Sequence, residues 1–484
     1  MKISCPLPAA RAIAAGPTRR QWIVLAVLFV LSLPAVTPRL YASDEIQYFS
    51  YLRSLWFDHD LDFENEYQYF YERGIARGEG FHETFLERTT ATGRRINFGT
   101  IGCAILWAPF YGVGDLVARA SGAPGDGFSR PYVSAVAYGS ATYGFFALVL
   151  ALLVARRLGL DAFVAALVIW FGTPLLFYAY LAPVFSHACS AFAVALFLYT
   201  WLRVRESWSI GGLAALGACA ALMTMVREQD AFVAVPAAIE FVAVAVSVNG
   251  EGRRPNAEGR GPRATMGHLV VGAVVAVAAF GVVYLPQAVA YLRLNGHVGP
   301  HASVGAKMNW VSPHALQVLF SPEHGFFVWT PLALLAIGGL FLPGKVPLAS
   351  ALRRQPGIAI ALLFVVAFQV YVSGSVESWT VAGAFGQRRF VGLTAVLVIG
   401  YAALQARARS GAARGALIVA TALGIYWNLA LIAEFGTGRM NRQKLEPRQN
   451  AYDAFVTLPA EAPSLAYRYL FDRASFYRAG EHER

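Results

Sequence analysis

Long apolar runs separated by short polar or basic tracts dominate the chain. The first covers Gln21–Leu40. Others lie at about Pro131–Ala155, Asp161–Tyr180, Val184–Leu202, Ile210–Val226, Ala231–Val248, Gly267–Tyr291, Phe326–Leu342, Gly357–Ser373, Phe390–Leu404 and Ala416–Ala433. A helix that crosses a bilayer needs roughly 20 apolar residues. The pattern therefore predicts an all-α polytopic membrane protein with about eleven transmembrane helices.

Charge between the runs orients them. Arg19-Arg20, Arg156-Arg157, Arg203 with Arg205, Arg253–Arg263, Lys345 with Arg353-Arg354, and Arg407 with Arg409 and Arg414 fall at alternate ends, as cytoplasmic loops do. The stretch Ile101–Ala118 is apolar enough to cross but carries Pro109 and Asp115. A crossing there would move every later basic tract outside, so it reads as a re-entrant or interface-lying helix. Five regions follow: a cytoplasmic N-terminus (1–20), a first transmembrane helix (21–40), a long extracytoplasmic loop with interfacial helices (41–130), a multi-helix membrane domain (131–433) and an extracytoplasmic C-terminal tail (434–484). The cytoplasmic loops are short, so chemistry is expected to face outward.

Composition agrees with this class. With 57% hydrophobic and 14% charged residues, the 484-residue chain is not an ordinary soluble globule. The net charge of +11 comes from tracts between apolar runs, which act as topology determinants, so no nucleic-acid partner is implied. Cys5, Cys103, Cys189 and Cys219 are scattered and form neither a disulfide framework nor a zinc motif. Thr18-Arg19-Arg20-Gln21-Trp22 has a faint twin-arginine look, but the many later spans favour an uncleaved signal anchor. Asn249–Arg263, rich in Gly and Arg, reads as a flexible linker.

The candidate chemistry begins with Asp44 and Glu45, just beyond the first run. An ionised carboxylate at a membrane surface can act as general base toward an acceptor hydroxyl, and Asp44 suits that role. Glu45 would point elsewhere, to orient the acceptor, bind a metal or face water; the plain alternative for Ser43-Asp44-Glu45 is a helix cap. Asp58, Asp60, Asp62, Glu64 and Glu66 alternate as they would on one face of a strand, a pattern compatible with a divalent metal, although Phe63 stands where a calcium loop needs glycine. Arg388 and Arg389, at the start of a helix and against the charge bias of an outer loop, are the leading phosphate ligands, with Arg94 and Arg95 in reserve. His187 and His324 lack metal-ligand spacing and suit acceptor orientation or structural support. Glu377 and Trp379 share the loop of the arginine pair, with Glu377 a candidate salt-bridge partner. Glu240 is the one acid deep within an apolar run.

Together these features resemble the polytopic GT-C glycosyltransferases, especially the branch of protein O-mannosyltransferases and lipid A aminoarabinose transferases. The resemblance rests on Ser43-Asp44-Glu45 after the first helix, the long first loop with its interfacial helix, the stretch Trp379–Phe390 (WTVAGAFGQRRF) and the stretch Leu319–Pro331 (LFSPEHGFFVWTP). It implies transfer of a sugar from a polyprenyl-phosphate donor to a lipid, glycan or protein acceptor on the extracytoplasmic face, with inversion at the anomeric carbon. Asp44 then matches the family's acidic base and Glu45 the second acid. A basic loop residue, lysine in some members, has no clear counterpart, and Arg94 or Arg95 would substitute. The tail after Glu434 is large enough only to cap the cavity. High Arg, Ala and Gly usage points to a bacterial inner membrane. The rival class is a transporter or a flippase of lipid-linked sugars, against which stands the near absence of charge within the spans.

Overall fold

The computed structural model describes residues 16–75, 79–250, 265–341, 356–381 and 383–478. Cys5, most of the Asn249–Arg263 linker and the basic tract Lys345, Arg353 and Arg354 lie outside the described residues. The architecture is all-helical, and the only β pairings among the described residues are two isolated bridges, Thr89 with Arg95 and Met308 with Val376.

The principal helices are α1 (Arg19–Ser32), α2 (Ser43–Arg53), α3 (Glu64–Glu72), α4 (Gly102–Ser121), α5 (Arg130–Arg157), α6 (Phe163–Gly172), α7 (Leu175–Tyr180), α8 (His187–Val204), α9 (Ile210–Val226), α10 (Val235–Gly250), α11 (Met266–Asn295), α12 (Pro331–Phe341), α13 (Pro356–Ser375), α14 (Thr394–Arg407), α15 (Gly411–Thr437) and α16 (Leu458–Phe471). Among the described residues, seven helices are long and apolar enough to cross a membrane: α5, α8, Glu228–Val248 (a 3₁₀ turn continued by α10), α11, α13, Arg388–Arg407 (a 3₁₀ turn continued by α14) and α15. On α11, Val270, Val274, Val277, Leu285 and Val289 are exposed along one side, which is the reverse of a helix that faces water.

Four of the predicted runs fall short of a single long helix, and three of these stop at proline. The run Gln21–Leu40 is helical only to Ala35, because α1 passes into a 3₁₀ turn, Leu33–Ala35, that contains Pro34. Asp161–Tyr180 breaks at Thr173 before Pro174, and Asn428 of α15 donates to the freed carbonyls of Phe171 (2.8 Å) and Thr173 (3.2 Å). Such repair is required where no water reaches the backbone. Phe326–Leu342 breaks at Thr330, ahead of Pro331. Ile210–Val226 is unbroken but only 17 residues long.

Small residues let these helices approach closely. A Cβ added to Gly339 of α12 would overlap the carbonyl oxygen of Gly400 on α14, and one added to Gly400 would overlap that of Ala336. Backbone contact of this kind replaces the hydrophobic drive that helices lack within a bilayer. Among the described residues, α4 runs beside only the first half of α5: Trp107 Nε1 donates to Ser140 Oγ (2.8 Å), Tyr143 OH to the Leu106 carbonyl (2.8 Å) and Tyr132 OH to Asp115 Oδ1 (2.6 Å). It therefore ends well short of Arg156 and Arg157.

The alternating acids do not form a strand. Ser54–Asp58 is a wide helical turn, His59 adopts φ 58°, and Glu64 and Glu66 open α3. Arg53 pairs with Asp58 and with Glu66 Oε1 (3.0 Å), while Asp60 Oδ1 accepts from Ser54 Oγ (2.8 Å) and the Asp62 amide (3.0 Å). Turn hydrogen bonds and the half-buried Arg53 thus account for Asp58, Asp60 and Glu66, acids that the two-residue period had suggested as cation ligands. Glu240 also finds a partner: Arg205 Nε donates to Oε1 (2.9 Å) and Trp201 Nε1 to Oε2 (2.8 Å).

Candidate functional site

Pro38 and the extended Ala42 stop the chain from continuing α1 into α2. Ala42 has no side-chain acceptor to cap the new helix, so Glu45 caps it instead. Its Oε2 accepts the backbone amides of Tyr41 (2.8 Å) and Ala42 (3.1 Å). Consecutive helical residues diverge by about 100°. Glu45 is therefore turned inward with no exposed surface, while its neighbour Asp44 points out and keeps 38% side-chain exposure. Burial pushes the Glu45 carboxyl up to about 8, against its two amide bonds and with help from the Asp44 charge. The role of second catalytic acid gives way to one of helix cap, because Glu45 does not face the space that Asp44 faces.

Asp44 Oδ2 lies 2.7 Å from Nη1 of Arg388. Arg388 opens the 3₁₀ turn into α14, and the loop before it is held from three sides. Tyr178 OH donates to the Phe385 carbonyl (3.0 Å), His324 Nε2 bonds the Ala384 carbonyl (2.7 Å), and Gln387 Nε2 donates to the carbonyls of Trp379 (3.1 Å) and His324 (3.3 Å). Gly386 takes φ 58°, in the left-handed region that glycine adopts without strain. The Arg388 guanidinium also sits 5.4 Å from the Phe185 ring centre, a cation–π contact.

Two more arginines surround this pair. Arg389 donates to the Ser378 carbonyl (3.1 Å) and to Ser378 Oγ (3.2 Å). Arg227, at the end of α9, donates to His187 Nδ1 and to Gln229 Oε1 (3.1 Å). The charges of Asp44, Arg227 and Arg388 all reach the Tyr178 hydroxyl, and those of Arg227, Arg388 and Arg389 reach His187. Tyr48, one turn beyond Asp44, accepts from Ser186 Oγ (3.2 Å); burial pushes its phenol up to about 12, with Arg227 opposing and Asp44 assisting. A little deeper, Ser190 Oγ donates to Asp230 Oδ2 (2.6 Å). The Asp44 side chain thus faces a concentration of arginines, an arrangement suited to a phosphate beside a base.

The other predicted residues fall outside this centre. Arg95 pairs with Glu64 (3.1 Å), and the half-buried Arg94 sits on the same surface turn, its carbonyl accepting from Thr90 (2.8 Å). That turn is tied to the end of α11 through Thr92, and neither arginine contacts Asp44. Glu377 is exposed, and its expected arginine partners are engaged by Asp44 and Ser378 instead. Trp379 stacks on His314 (5.4 Å between ring centres) and supplies its carbonyl to Gln387. His324 is fully buried and stacks on Trp329 (4.7 Å); burial holds it at about 4, so it stays neutral and braces the arginine loop. His187 sits within the cluster as the partner of Arg227, a supporting position. Among the described residues, no group of three or more His, Cys, Asp or Glu side chains is arranged to hold a metal ion.

Arg227, Tyr48 and Tyr178 were not singled out by the sequence. Arg227 carries the same signal as Arg388, a basic residue at a helix end where the charge bias disfavours it, whereas the tyrosines carry none. Comparison of the chain with protein-family models and with curated proteins finds no match to either.

Proposed function

We propose that the chain is a membrane glycosyltransferase that moves a sugar from a polyprenyl-phosphate donor to a hydroxyl or amine of a lipid, glycan or protein acceptor, with inversion. The observation that carries this reading is the pairing of Asp44 with Arg388 inside the cluster of Arg227, Arg389 and His187. Asp44 accepts the acceptor's proton as the acceptor oxygen or nitrogen bonds to the anomeric carbon. The bond from that carbon to the phosphate oxygen breaks, and its electron pair leaves with the polyprenyl phosphate. Arg388, with Arg389 and Arg227, stabilises the charge that grows on the phosphate. A donor phosphate draws on the same guanidinium that holds Asp44, which frees the carboxylate to act as base.

The matching topology has eleven crossings, counting with the seven membrane-length helices the helical run 19–35, the 17-residue α9 and the broken runs 163–180 and 326–341. The N-terminus is cytoplasmic, the site and C-terminus are extracytoplasmic, and α4 is a re-entrant element of the first loop. Its support is the gathering of Arg156, Arg157, Arg203, Arg205 and Arg407 at helix ends away from Asp44. A bacterial inner membrane suits this arrangement.

The test is transfer of labelled sugar from a panel of polyprenyl-phosphate donors in membranes that hold the protein, beside the Asp44→Ala variant. Transfer that disappears with Asp44 supports the reading. Lipid that binds or crosses the bilayer while no donor is consumed overturns it in favour of a flippase.

A further inference from the structure

The tail beyond α15 was expected to cap the site, yet most of it runs elsewhere. Residues 440–445 do reach the site's rim, where the Leu445 amide donates to the Pro322 carbonyl (2.9 Å). From Pro447 the chain turns along α15: Asn450 Nδ2 donates to Glu434 Oε2 (2.5 Å), and Tyr426 OH donates to the Ala454 carbonyl. Phe455 packs on the Tyr426 ring (5.3 Å), and Ala454 and Leu458 bury against Ala430 and Trp427. At 1.5 Å per residue, Tyr426 lies about 16 Å along α15 from its end at Thr437, comparable to half of a roughly 30 Å hydrocarbon core. The tail therefore descends beside a membrane-length helix. α16 then returns, with Glu461 paired to Arg439 (2.5 Å).

Beyond Arg448 and Gln449 at its start, the exposed surface of this segment is apolar through the end of α16 except for Ser464. On α16, Ala462, Ala466 and Leu470 form one row and Pro463, Tyr467 and Phe471 the next, all exposed. The charged groups of α16 are paired: Glu461, which keeps 38% side-chain exposure, with Arg439, and Arg468 with Ser475 Oγ (3.0 Å). Tyr452, Phe455 and Val456 continue the exposed apolar face onto that of α15, where Ile418, Val419, Leu423 and Leu429 stand outward. A helix in water shows the opposite pattern, whereas a helix lying in a membrane interface shows this one.

The far end of the tail grips the first helix. Arg473 donates to the carbonyls of Pro34 (2.6 Å) and Val36 (3.0 Å), and Tyr469 OH donates to that of Ala35 (2.7 Å). These are carbonyls that a helix end leaves without partners. The segment they close leads directly to Asp44.

We propose that residues 447–473 form a re-entrant anchor embedded in the leaflet on the Asp44 side, that its exposed face is covered by lipid, and that it straps the end of α1 to α15. The occupant is lipid because the face is continuous with the outward surface of a membrane-length helix and reaches its depth. This inference does not depend on the transferase reading.

The experiment uses the full chain in nanodiscs of mixed phosphatidylcholine and phosphatidylglycerol, with a nitroxide on Phe455→Cys, Tyr467→Cys or Phe471→Cys in separate variants. Lys444→Cys serves as the aqueous reference and the parent chain as the labelling blank. Power saturation is expected to give several-fold greater relaxation by oxygen than by a water-soluble nickel chelate at 455, 467 and 471, and the reverse at 444. Greater relaxation by nickel at those three sites places the face in water and overturns the proposal. Shielding from both reagents places it under protein and overturns it equally. Three independent positions keep the test decisive if one variant fails to fold.

Discussion

Asp44 and Arg388, from opposite ends of the chain, meet at 2.7 Å where α2 begins and α14 is about to begin. Neither is fully buried: their side chains keep 38% and 20% exposure. An exposed ion pair contributes little to stability, so its placement among further arginines is better explained by what the pair can bind than by what it holds together.

Under the proposed chemistry, Asp44→Asn removes the base while keeping the side chain's shape. Sugar transfer is expected to fall by about 10²–10⁴-fold at unchanged expression. Full transfer by well-expressed Asp44→Asn would rule the base role out.

Arg388→Ala and Arg227→Ala separate two contributions to donor binding. Arg388→Ala removes the group nearest the base, and Arg388→Lys should rescue it poorly because an ammonium lacks the planar fork. Arg227→Ala is expected to raise the donor KM with a smaller effect on kcat, since it acts from the next helix end. Steady-state kinetics over a range of donor concentration checks both; an unchanged KM for Arg227→Ala removes it from the phosphate site.

Arg94, Arg95 and Glu377 provide the contrast. Arg95 pairs with Glu64, Arg94 sits on the same surface turn and Glu377 is exposed, so alanine at each should leave transfer within about threefold of the parent, as expected of surface changes worth less than ~0.5 kcal/mol. A large loss at Arg94 or Arg95 would shift the phosphate site toward the first loop.

Glu45 predicts a dependence of stability on pH. Its carboxyl titrates near 8 in the folded protein and around 4.5 as a free side chain. Between those values the folded state holds the extra proton, so stability falls as pH rises from about 4.5 to 8 and is fully present only below that window, a change on the order of a few kcal/mol. Glu45→Gln keeps an oxygen for the two amides and should flatten the profile of unfolding temperature against pH in detergent. An identical slope in parent and variant sinks this assignment.

Arg205 and Glu240 form the structural pair of the membrane domain, with side-chain exposures of 15% and 25%. Arg205→Ala and Glu240→Ala are each expected to cost on the order of 2 kcal/mol, because each strands a partly buried partner. The double variant should cost less than the sum, which a double-mutant cycle in detergent unfolding reads directly. Strict additivity would mean that the pair is not coupled.

The sequence by itself determined the class of protein and placed its long apolar runs, because twenty-residue apolar runs have few other uses, but its pattern presents the runs that contain Pro34, Pro174 and Pro331 as unbroken. It paired Asp44 and Glu45 as candidate acids, with Glu45 expected to point elsewhere, but only the structure shows Glu45 buried as a helix cap. Only the tertiary structure decided that Arg388 rather than Arg94 or Arg95 meets Asp44, that Arg227 joins it, that Arg205 neutralises Glu240 and that the tail reaches back to α1. The physical reason is that apolar periodicity records which face of a helix is buried but not which helix covers it. The identity of a polar partner is therefore fixed by packing between segments distant in sequence, and no local pattern of residues encodes it.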